Sequence, residues 1–113
     1  TLAPGLLAAR EELAEVYAAE GHPAEEMQQL QVLAGLDGGR VERRIAVGLA
    51  HARAGHGDLA VLTLASTLDD APDSVAIYGA LGRVWLEMAE TRTDRPDALP
   101  RALEALERAA SAA

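Results

Sequence analysis

His22, His51 and His56 are the three imidazoles of this 113-residue sequence, and with its 18 carboxylates they are where a metal centre or acid–base pair would have to be built. His22 and His56 stand 34 residues apart. In a chain with that period they occupy equivalent turns of neighbouring units, roughly 10 Å or more from each other, too far for one ion to bridge. Glu11 and Glu15 share a helix face, as carboxylates on solvated helices commonly do. Ser66, Ser74 and Ser111 have no His or Asp at an informative spacing, and there is no Cys nucleophile. A Gly-rich phosphate loop and a His-Glu-x-x-His pair are also missing from the sequence. The expectation is a protein without catalytic residues, metal ligands or a cofactor.

Composition bounds the partners. Ten basic against 18 acidic side chains leave a net charge of -8, which repels phosphate backbones and anionic lipid, so nucleic acid and membrane surfaces are disfavoured. No apolar run reaches the roughly 18 to 20 residues of a membrane span, so no membrane insertion is expected. The acidity is uneven: residues 1–38 carry a net charge of -6 and the remainder -2. Either a solvated face or a docking surface for a basic partner accounts for this. All ten cations are Arg, a bias read as that of a high-GC bacterial genome; cytoplasm and periplasm fit equally. A start at Thr1 without Met reads as a domain excised from a larger protein.

Half the residues are apolar, chiefly Ala and Leu, with Tyr17, Tyr78 and Trp85 as the sole aromatics, which is a helical composition. Those residues fall into columns. Tyr17, His51 and Trp85 are spaced by 34 and again by 34, and so are Leu13, Val47 and Leu81, and Ala14, Gly48 and Gly82. Gly21 and Gly55 keep the same step, as do Leu30 and Leu64. A residue four beyond an apolar one lies on the same helix face, and a small residue beside them lets a neighbouring helix approach. Gly21 and Gly55 suit helix stops, Pro23 and Asp58 helix starts, and Asp73 or Ser74 a cap. Asp37-Gly38-Gly39 and the stretch from Asp69 to Ser74 punctuate the junctions between units. Six helices are predicted, near 6–20, 23–36, 40–54, 58–70, 74–91 and 97–111.

The columns resemble the tetratricopeptide repeat. Leu13-Ala14-x-x-Tyr17-x-x-x-Gly21, Val47-Gly48-x-x-His51-x-x-x-Gly55 and Leu81-Gly82-x-x-Trp85 match its first-helix pattern, and Pro72 falls where the family often ends its second helix. The resemblance implies an all-α solenoid of three helical hairpins, a right-handed superhelix of antiparallel helices. Repeat 1 would run over about 7–39, repeat 2 over 40–73 and repeat 3 over 74–113. His51, in the aromatic column, is expected to be a packing residue with a hydrogen-bond partner.

Two departures stand out. Glu26 occupies a small-residue position, where repeat 2 has Ala60; either the helix turns to bring Met27 inward or its packing loosens. In repeat 3 Leu106 takes the place expected at position 98, an insertion of eight residues within Thr91 to Pro100. That insertion reads as a solvated loop or a lengthened hairpin, or else as a partner-specific contact.

The resemblance also implies a function: binding a protein or peptide segment on the concave face lined by the first helices. The inner stripe would comprise Glu11 and Glu15, then Glu42, Ile45, Leu49 and Ala52, then Gly79, Arg83 and Leu86, with Ala8, Ala18 and Ala76 beside them. Relatives that clamp chaperone tails present Lys, Asn and Arg there, whereas Glu11 and Glu15 would repel a free carboxylate. A segment with Lys or Arg near repeat 1 and apolar residues near repeat 2 fits better. The last helix carries an apolar face through Leu99, Leu103 and Leu106, so a terminal surface awaits further repeats or a second copy. Two alternatives to the concave-face function therefore stand: self-assembly through that helix, or a regulatory part of a larger enzyme or secretion component.

Overall fold

A computed structural model describes residues 4–36 and 40–112, so the Asp37-Gly38-Gly39 junction lies outside the described residues. The described residues form six helices and no strand: α1 Pro4–Ala19, α2 Pro23–Leu36, α3 Val41–Arg53, α4 Gly57–Thr67, α5 Val75–Thr91 and α6 Ala98–Ala112. Each helix packs on the next in the chain, and α3 also meets α5. The resulting body is elongated, 44 × 29 × 19 Å. No helix among the described residues is long and apolar enough to cross a membrane.

Glycine sets two of the turns. Gly21 and Gly55 adopt φ of 75° and 86°, a left-handed conformation that costs other residues more. Around each, the same pair of bonds closes the helix: His22 N–H donates to the Tyr17 carbonyl at 2.8 Å and His56 N–H to that of His51 at 2.9 Å, with the glycine N–H bonded three residues back. The third column has Ala89 at this step, so nothing stops α5 there and it runs on to Thr91. At the other end of α5, Ser74 is the cap, its Oγ accepting from Ile77 N–H at 3.2 Å.

The end of α4 differs from the prediction by three residues, Thr67 instead of 70. Both Ser66 and Thr67 turn their hydroxyls onto the Thr63 carbonyl, at 2.9 and 2.7 Å. Side chains that bond the backbone in this way compete with the helix ladder. From Leu68 to Ala71 the chain continues in tighter turns that bond three residues back.

Two apolar clusters hold the helices. The first joins Ala14 of α1, Leu30 and Leu33 of α2, and Val47 and Ala50 of α3. The larger one joins Ala60 and Leu64 of α4, five α5 residues from Ile77 to Trp85 plus Met88, and Ala98, Ala102 and Ala105 of α6. Leu33, Leu64 and Ile77 are fully buried, each contributing about 1.5–3 kcal/mol of transfer free energy. A Cβ on Gly48 would lie 2.8 Å from Leu64 Cγ, and one on Gly82 2.5 Å from Leu106 Cδ2, so both glycines exist to admit a leucine from the following helix. Leu64 and Leu106 are separated by the 34-residue step plus eight, so the eight added residues leave this contact intact.

Those added residues fold back on the molecule. Arg92 and Arg95 donate to the two carboxylate oxygens of Asp58, at the start of α4, at 3.0 and 2.5 Å. Arg92 also pairs with Asp94, and Asp97 with both Arg95 and Arg101. The guanidiniums of Arg95 and Arg101 lie 5.0 and 5.4 Å from the Trp85 ring centroid, where the aromatic quadrupole attracts them. Hydrogen bonds from arginine hold the Asp58, Asp94 and Asp97 carboxyls below the usual carboxylate range. The insertion thus lengthens the hairpin of α5 and α6, and its charges bind one another and α4.

Candidate interaction face

α1, α3 and α5 supply the stripe that the sequence singles out, but the two steps along it are unlike. The backbones of α3 and α5 come close together, while those of α1 and α3 remain apart. The reason lies at one column. Position 77 on α5 is the fully buried Ile77, whereas the equivalent position on α3 is Arg43. Arg43 reaches across the gap to bond Glu11 of α1 at 2.5 Å. Between the helices lies a cleft of about 200 Å³ lined by Glu11, Glu15, Ala18, Glu26, Arg43, Ala46 and Arg53, with Ala14, Leu30 and Leu33 as its apolar floor.

Glu26 faces this cleft. It is buried, and it remains in the small-residue column with Met27 only partly covered, so the helix is not turned to hide the charge. Instead Arg53 of α3 grips it with two nitrogens: Nε donates to one carboxylate oxygen at 3.0 Å and Nη2 to the other. A forked pair of this kind is the geometry in which a guanidinium best satisfies a carboxylate. Arg43, Arg53 and the role of Glu26 were missed by periodicity, since none is a repeated packing residue. A charge in a core column was the available signal, because a buried carboxylate requires a cation within reach.

The remaining predicted residues are placed as follows. Glu15 is exposed at the cleft mouth and Glu11 half-buried beneath it. Glu42 is exposed, 3.7 Å from Arg40. Ile45, Leu49 and Ala52 are half-buried, packed on the larger cluster where α3 meets α5, so much of their surface is already used in holding the fold. Gly79 has open space where a Cβ would stand, and Arg83 and Leu86 are exposed. On α6, Leu99, Leu103 and Leu106 are all exposed, Leu106 least because its tip rests on Gly82.

His51 is buried in the aromatic column, but among the described residues its Nδ1 has no hydrogen-bond partner, where one was expected. Burial, assisted by the nearby His56, lowers its pKa below 6.5. The unfolded chain therefore takes up a proton at a higher pH than the fold does, and stability falls as pH drops through and below about 6.5. His51→Phe, matching the aromatic neighbours of the column, should raise stability by about 1 kcal/mol by removing the unsatisfied nitrogen. Thermal melts at neutral and mildly acidic pH check both statements: the variant should melt higher and lose part of the acid sensitivity. Among the described residues, no three His, Asp or Glu side chains converge to hold a metal ion.

Compared with known proteins, the chain matches no family model and no curated protein.

Proposed function

We propose that this chain is a helical-repeat scaffold, a right-handed solenoid of three tetratricopeptide-like hairpins, which binds a basic, amphipathic peptide segment along α1, α3 and α5. It works by binding, not by catalysis. The observation that carries the reading is the cleft between α1 and α3, where Glu15 has an exposed carboxylate above an apolar floor. A Lys or Arg of the ligand would pair with Glu15 beside the Glu11–Arg43 bond, while its apolar residues reach along Ala18 toward the exposed Leu86. Arg43 and Arg53 are tied to Glu11 and Glu26, which keeps the cleft's free charge negative.

Ile45 and Leu49 support the fold, so the test avoids them. Random peptides displayed on phage and selected on the protein should be enriched in a cation followed by apolar residues. Glu15→Lys should then weaken the selected peptides by tenfold or more, by juxtaposing like charges, and Leu86→Glu should act in the same direction, with melting temperatures unchanged. Failure to select any peptide, or selected peptides indifferent to both variants, would remove the concave face as the binding surface.

A further inference from the structure

The Glu26–Arg53 pair does little for the fold that holds it. At the equivalent places of the later hairpins the chain carries Ala60 and Ala102, both fully buried, so an alanine suffices to pack this position. Buried ion pairs return little beyond their desolvation cost, which makes stability a weak reason for one here. The pair also stands between two open spaces. On one side is the cleft of about 200 Å³ between α1 and α3, on the other a notch of about 280 Å³ lined by Gly21, His22 and Pro23, and Ala18, Glu26 and Arg53 border both. One 34-residue step later the notch over Ala52, Gly55 and Gly57 shrinks to about 70 Å³, where Met88 and Thr91 stand in place of Ala54 and Gly57. The two partners are unequally committed: Glu26 keeps 7% of its side chain exposed and Arg53 49%. The carboxylate needs a cation at all times, while the guanidinium can exchange its bonds for water.

Building on the concave-face reading, on which this depends, we propose that the anchor for the ligand is Glu26, that the cation it takes is an arginine side chain, and that Arg53 occupies the anchor until the ligand displaces it. Nε and Nη2 of Arg53 each donate to one oxygen of Glu26. An incoming guanidinium reproduces both bonds, whereas an ammonium reproduces one. Exchange therefore leaves Glu26 satisfied throughout, and Arg53 passes into water from a position already half exposed. Glu15, exposed at the mouth of the cleft, meets the ligand's cation first, and Arg43 stays on Glu11. Competition from Arg53 weakens the ligand in proportion to the rarity of the released state. Removing Arg53 removes that competition.

Arg53→Ala leaves Glu26 without its cation, and ethylguanidinium is the first probe. At about 10 mM it should raise the melting temperature of Arg53→Ala by several degrees, or restore helicity if that variant is unfolded without it. Ethylammonium at the same concentration should do much less, and neither should affect the wild type or the double variant that also carries Glu26→Ala. The capped peptide acetyl-Arg-Leu-Leu-amide should bind Arg53→Ala about tenfold more tightly than wild type, and its Lys counterpart should bind both alike. In the wild type, the nuclear magnetic resonance signal of the Arg53 Nε–H should vanish as the Arg peptide saturates the protein, because exchange with water quickens once Glu26 lets go. Ethylguanidinium that leaves Arg53→Ala unchanged overturns the proposal, as does an Arg peptide that leaves the Arg53 signal in place. Peptide binding that is lost in Glu15→Lys yet indifferent to Arg53→Ala keeps the concave face and rejects Glu26 as the anchor. Rescue by ethylguanidinium without binding of the peptide to any of these proteins rejects the concave face, and the proposal with it.

Discussion

Replacing Arg53 with alanine is expected to lower stability by about 2–3 kcal/mol, whereas replacing its partner Glu26 with alanine should change it little. The asymmetry follows from burial. Glu26 keeps 7% of its side chain exposed and Arg53 keeps 49%, so the arginine left alone returns to water while the glutamate left alone remains a carboxylate in an apolar wall. The forked bond does not itself add much, since two ions brought together inside a protein regain little beyond what they lose in desolvation. Glu26→Ala also restores the residue found at the equivalent positions Ala60 and Ala102, both fully buried. The double variant should therefore recover most of what Arg53→Ala loses. Denaturant unfolding of the four proteins checks this; equal losses from the two single variants would show that the pair contributes through its attraction and not through its burial.

Gly48→Val is expected to cost about 3 kcal/mol, at the upper end for an overfilled core. Its Cβ would stand 2.8 Å from Leu64 Cγ, and Leu64 is fully buried with nowhere to move. Gly82→Val places a Cβ even closer to Leu106, yet Leu106 is partly exposed and can swing outward, so the loss should be smaller. Gly79→Ala provides the contrast. Nothing lies within 4 Å of its Cβ position, and a helix-interior glycine gives up about 1 kcal/mol relative to alanine, so this variant should gain that amount. If the three glycines respond alike in thermal melts, helix propensity and not packing governs them all.

The six helices were legible because two glycines, one serine cap and the apolar columns each act locally, within one or two turns of chain. Gly21, Gly55 and Ser74 do what their residue types favour. The inner face was less legible because its expectation assumed that every step along the chain is the same. It is not, since Arg43 stands where Ile77 later stands and Glu26 where Ala60 stands, and these two changes leave α1 apart from α3 while α5 closes on α3. The burial of Ile45 and Leu49 is a consequence of that closure. Side-chain reach across a junction, as from Arg53 to Glu26 or Arg92 to Asp58, has no period, so spacing alone does not reveal it.

The arginine network around Trp85 gives the body a grain. Its second half is fastened twice, by the larger apolar cluster and by Asp58 gripped from Arg92 and Arg95, while α1 and α2 hold on by the smaller cluster and the ion pairs of Arg43 and Arg53. Fraying is expected to begin at the first helix pair, which is held by the smaller apolar cluster; hydrogen exchange faster in α1 and α2 than in α4 to α6 would show it. The cleft exists only while that pair is seated. A ligand bound there, as the proposed function has it, would hold the first helix pair in place, and its occupancy would be read out as added order in α1 and α2.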